Sequence, residues 1–108
     1  MADVISENEI ENFVNEVVRR FSPEKVVLFG SSAENSANSD SDVDLLIVME
    51  TKLSTPKQAT EIRLSVPRSF PMDLIIRSPE ELKRRLAMGD PFFSEIIEKG
   101  RVLYELSR

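Results

Sequence analysis

The sequence predicts an α/β (α+β) domain in which helices pack against a small mixed β-sheet. Three observations predict it. Short runs rich in β-branched and aliphatic residues, Val26-Val27-Leu28-Phe29, Leu45-Leu46-Ile47-Val48 and Leu74-Ile75-Ile76, have the pattern of strands buried on both faces. Segments of helical period separate them, and Thr55-Pro56 and Ser78-Pro79 each pair a capping residue with a proline suited to a first helical turn. A chain of 108 residues with 41% hydrophobic content supports one modest core, so residues 1–108 are expected to form a single domain without internal repeat or linker.

The elements follow in order. Ser6-Glu7-Asn8-Glu9 has the form of a capping box, and Ile10, Phe13, Val17 and Phe21 recur at steps of three and four, which predicts a helix over about 7–20. Ser22-Pro23 interrupts it, and Lys25 to Phe29 is a strand ended by Gly30. From Ser31 to Ser41 the chain is small and polar, which predicts a loop. Asp42 to Met49 is a second strand with an acidic start. A helix opens at Thr55-Pro56 and runs to about Ser65, with Ala59, Ile62, Leu64 and Val66 as its apolar positions. Met72 to Ile76 is the third strand. The next helix carries Leu82, Leu86 and Met88 on its apolar stripe. Pro91 starts the last helix, in which Phe92-Phe93 and Ile96-Ile97 read as core; Gly100 fits its C′ position and Val102-Leu103-Tyr104 an edge strand.

Composition removes several functions. A net charge of -5 argues against coating a phosphate backbone, which needs clustered Lys and Arg, so no extended nucleic-acid binding is expected. With no Cys and no His, disulfides, thiolate nucleophiles, the usual zinc sites and imidazole acid/base chemistry all drop out. No stretch reaches the roughly 18 apolar residues of a bilayer span, and a soluble cytoplasmic protein is expected. Any catalysis must use carboxylates, hydroxyls, amines or a hard cation.

Two features suit phosphate and metal chemistry. Gly30-Ser31 directly after a buried strand lets the backbone approach a ligand closely and supplies amide and hydroxyl donors. Asp42 and Asp44 stand two apart at a strand start, which puts both carboxylates on one face, roughly 6 to 7 Å apart. Carboxylates so placed repel unless a cation joins them, and Mg²⁺ is typically held by one or two carboxylates plus substrate phosphates. Asp73, the charged residue inside an apolar strand, would complete the site; burial there would cost several kcal/mol unless it were paired. Its structural alternative is pairing with Arg68 or Arg77. A calcium loop beginning at Asp40 fails, because Leu45 stands where glycine is required and Thr51 where glutamate is required.

The spacing Gly30-Ser31, ten intervening positions, then Asp42-Val43-Asp44 resembles the G-S-x-A-R-G-x(5)-S-D-x-D signature of the minimal nucleotidyltransferases, distant relatives of DNA polymerase beta. Gly30, Ser31, Ala33, Ser41, Asp42, Asp44 and Leu45 fall in register, and Gly100-Arg101-Val102-Leu103-Tyr104 is similar to the family's G-x-x-L-Y ending. Glu34-Asn35 departs from the family's Arg-Gly. Asparagine tolerates positive φ, but an anion in place of a cation beside the triphosphate path should weaken nucleotide binding.

The resemblance implies a nucleotidyltransferase fold like the polymerase beta palm. It implies that Asp42 and Asp44 hold Mg²⁺ against the triphosphate of ATP, that Gly30 and Ser31 contact the β- and γ-phosphates, and that Asp73 ligates a second metal or takes the proton of the attacking hydroxyl. AMP would be transferred and pyrophosphate released. Minimal members of the family commonly pair with a helical toxin of the HEPN type, in some systems adding AMP to one of its tyrosines, so an antitoxin role is expected and homo-oligomers remain open. The competing expectation is a module with a decayed triphosphate site that neutralises its partner by contact alone. Transfer to a small molecule is disfavoured, because the aminoglycoside-modifying relatives carry an extra substrate domain.

Overall fold

A computed structural model describes residues 7–30 and 43–107. Ser6, Ser31 and Asp42 therefore lie outside the described residues, as do Ala33, Glu34, Asn35, Asp40 and Ser41. The elements are α1 (Glu7–Phe21), β1 (Lys25–Phe29), β2 (Val43–Val48), α2 (Thr55–Ser65), β3 (Met72–Arg77), α3 (Pro79–Ala87), α4 (Pro91–Lys99) and β4 (Arg101–Glu105). Their order is the one the sequence predicts.

Local chemistry sets the helix starts. Ser78 Oγ accepts from the Glu81 amide at 3.1 Å, and Asp90 Oδ1 accepts from the Phe92 amide at 2.9 Å, each ahead of a proline in the first turn. In α2 the cap is Ser54, one residue before the expected Thr55, because its hydroxyl is the one that reaches the Lys57 amide, at 3.4 Å. Ser78→Ala should lower stability by about 1 kcal/mol, read as a lower urea midpoint at constant m-value.

The four strands lie in the order β3-β2-β1-β4. β1 pairs antiparallel with β2 and β4, while β2 and β3 run parallel and are joined by the α2 crossover. The sheet is mixed, with β1 and β2 central. On one face Val26, Leu28, Leu45, Ile47, Leu74 and Ile76 pack under Phe13, Val14 and Val17 of α1 and Ile62 of α2. On the other, Val27, Leu46 and Val48 pack under Leu82 of α3 and Phe93 and Ile96 of α4. Successive strand residues thus serve two different layers, which is why the strands read as continuous apolar runs. No described helix is long and apolar enough to cross a membrane.

Four apolar residues assigned to the core are exposed instead: Leu64, Met88, Phe92 and Ile97. In α4, Phe93 and Ile96 take the buried positions beside Phe92 and Ile97, because adjacent helical residues cannot share a face. Gly100 is likewise not a left-handed C′ residue. Its φ is -73°, and what excludes a side chain there is the close approach of Ile96 O, Val27 Cγ1 and Leu28 O.

At the surface of α3, Arg85 Nε donates to Glu81 Oε2 at 2.8 Å and Arg84 also pairs with Glu81, which holds the Glu81 carboxyl below the usual glutamate range. A depressed native value means that the stabilisation is complete above the ordinary glutamate pKa and is lost as pH falls through the lowered one. Glu81→Gln should therefore lower the melting temperature slightly at neutral pH and leave it unchanged well below the glutamate range, so that the acid limb of a plot of melting temperature against pH becomes flatter.

Candidate functional site

The site grows out of strand alternation. Leu46 and Ile75 belong to the face covered by α3 and α4, so two residues back along each strand Asp44 and Asp73 point to that same face. The parallel register of β2 and β3 sets Asp44 directly against Asp73, and the antiparallel register of β1 and β2 sets Phe29 against Asp44. Phe29, Asp44 and Asp73 therefore form a row across three strands, with neighbouring chains about 4.8 Å apart. Asp44 is half-buried and Asp73 exposed.

Gly30 completes the arrangement. Its φ of +78° is a left-handed conformation that side chains disfavour, and a Cβ placed on it would fall on Asp44 Oδ2. The backbone after β1 thus lies against the carboxylate of β2, a contact that glycine alone permits.

Of the five residues singled out from the sequence, the structure brings together Gly30, Asp44 and Asp73, while Ser31 and Asp42 lie outside the described residues. Asp73 differs from the expectation of a buried carboxylate. It is exposed and hydrated, so the cost of burial does not arise. Nor does it pair with the two arginines considered. Arg77 is four residues farther along the strand, its guanidinium 5.4 Å from the Phe93 ring centroid and its Nη1 donating to Ile76 O at 2.7 Å, and Arg68 is exposed on the connection before β3.

Among the described residues no group of three acidic side chains clusters. Asp44 and Asp73 stand in register on neighbouring strands and on one face of the sheet, and their hard oxygen donors fit Mg²⁺.

Sequence reasoning missed one part of the site. Beside Gly30 the chain forms a cleft of about 250 Å³ lined by Phe29, Phe92, Glu95, Ile96, Lys99 and Gly100. Phe92 packs edge-on against Phe29, with ring centroids 6.0 Å apart, and against Phe93 at 5.1 Å. A signal was present: Phe92 and Phe93 are adjacent on a helix, about 100° apart around its axis, so one of them had to leave the core.

The model of the nucleotidyltransferase domain family matches residues 10–104. The chain belongs to this family. The match runs from α1 into β4 and so includes Gly30, Asp44 and Asp73. A Methanocaldococcus jannaschii protein named "Putative protein adenylyltransferase" is 28% identical over 100 residues, covering 91% of this chain and 97% of its own length. Among solved structures, "a putative nucleotidyltransferase from Sulfolobus solfataricus" superposes with a TM-score of 0.63 at 20% identity, over 91% of this chain and 78% of the other. A toxin-antitoxin structure with AMP-PNP superposes with a TM-score of 0.52 at 19% identity, over 90% of this chain and 74% of the other. At these identities the superpositions establish a shared fold, and this nucleotidyltransferase domain has the α/β architecture of its family.

Proposed function

We propose that this domain transfers AMP from ATP to an acceptor hydroxyl, a tyrosine of a helical HEPN-type toxin, and acts in the cytoplasm as that toxin's antitoxin. The observation that carries the transferase part is the in-register pair Asp44 and Asp73 with the Gly30 backbone against Asp44. The antitoxin part is supported by the toxin-antitoxin neighbour and by the relative named as a protein adenylyltransferase.

Asp42 and Asp44 would hold Mg²⁺, which would supply charge neutralisation on the triphosphate and on the leaving pyrophosphate. Gly30 and Ser31 present backbone and hydroxyl donors to the β- and γ-phosphates. The acceptor oxygen forms a bond to the α-phosphorus as the bond from that phosphorus to the β-bridging oxygen breaks. Pyrophosphate leaves with the electron pair, and the hydroxyl proton passes to the exposed Asp73 carboxylate.

The test is incubation of the purified chain with its native-host partner, Mg²⁺ and α-labelled ATP. Label should appear on the partner and disappear with EDTA; a partner recovered by pull-down that is never labelled would sink the transferase part. A second interpretation, neutralisation by contact alone, is favoured by Glu34 in place of the family's arginine. Toxicity rescue discriminates: an Asp44→Asn variant that rescues fully supports contact, and one that fails supports transfer.

A further inference from the structure

We propose that the aromatic cleft beside Gly30 is the subsite for the nucleobase of the bound nucleotide, with the Phe92 ring as its stacking platform. This deepens the transferase function proposed above and rests on it.

The row of Phe29, Asp44 and Asp73 has two unlike ends. In an in-line displacement the attacking and leaving oxygens lie on opposite sides of the phosphorus. With Asp73 receiving the proton, the acceptor comes in at the Asp73 end. The pyrophosphate then leaves toward the Gly30 end, and the nucleoside, an equatorial substituent of the α-phosphorus, is free to turn into the cleft between the end of β1 and α4, which Gly30 borders.

The character of the cleft suits a base better than a phosphate. Phe92 is 48% exposed although it touches two other aromatic rings, so a large apolar surface faces solvent within a concavity next to the carboxylates. Every nucleobase has a π-face that such a ring can stack on. Pockets that enclose a whole drug-sized ligand run from roughly 300 to 1,000 Å³. At about 250 Å³ this cleft has room for one ring system, with ribose and phosphates outside it. At its rim Glu95 Oε1 and Lys99 Nζ stand 3.6 Å apart, one acceptor and one donor, the pair that the edge of an amino-bearing base can engage. A phosphate placed there would meet the Glu95 carboxylate.

Calorimetry in Mg²⁺ buffer, with ATP and with tripolyphosphate as titrants, tests this on the wild type, Phe92→Ala and Phe92→Tyr. Phe92→Ala should raise the ATP Kd roughly tenfold and leave the tripolyphosphate Kd unchanged, while Phe92→Tyr should bind both like the wild type. Unchanged far-UV circular dichroism would show that the half-exposed ring is not needed for folding. Equal ATP affinity in the wild type and Phe92→Ala would overturn the proposal while leaving the transferase function standing. So would a parallel loss of tripolyphosphate binding, which would mean that the ring shapes the phosphate site. A wild type that binds neither titrant would overturn the transferase function itself, and this proposal with it.

Discussion

Asp44→Asn should lower the rate of AMP transfer by roughly 10³-fold, the equivalent of about 4 kcal/mol of lost charge stabilisation around the triphosphate. Asparagine keeps the shape of the side chain, so the contact with Gly30 and the packing of Leu45 and Leu46 behind it are preserved. The melting temperature should stay close to that of the wild type, because the shape and packing of the side chain are kept. Initial rates of label transfer from α-labelled ATP, beside a thermal melt, check both halves. A variant that transfers at the wild-type rate would show that Asp44 holds nothing the reaction needs, and one that fails to fold would show that its role is structural.

The second large effect is expected at Gly30. Gly30→Val combines two penalties: a β-branched residue forced to φ near +78°, of order 1–3 kcal/mol, and a side chain driven onto Asp44 Oδ2. Both should appear together, as a stability loss of about 2 kcal/mol or more and as loss of ATP binding, because Asp44 has to turn away. Gly89 separates the two causes. Its φ is +76°, yet nothing lies within 4 Å of a Cβ built there, so Gly89→Val carries the backbone penalty alone. Urea unfolding of both variants, with ATP calorimetry alongside, reads the difference. Equal stability losses combined with normal ATP binding by Gly30→Val would mean that the Gly30 contact with Asp44 is incidental.

The existence and order of the elements were legible because they are local. A cap such as Ser78 sits within three residues of the amide it satisfies, and a strand such as Leu45 to Val48 shows its burial in its own composition. The approach of Gly30 to Asp44 was legible as part of a sequence pattern, since both lie within one short stretch. Contacts that depend on how distant segments settle were not. Phe92 and Ile97 are as hydrophobic as their buried neighbours Phe93 and Ile96, and only the azimuth at which the helix docks decides which residue faces the sheet.

By itself the sequence determined the four helices and four strands of the described residues and the glycine that ends β1, because propensity, capping and period act over a few residues. Tertiary structure alone decided that Asp44 and Asp73 stand side by side, that Asp73 is hydrated, and that a cleft opens beside Gly30. A parallel register is set by a crossover through α2 and by both packed layers at once. Slipping it by one residue would turn Asp73 to the opposite face of the sheet, a choice that no stretch of chain makes alone.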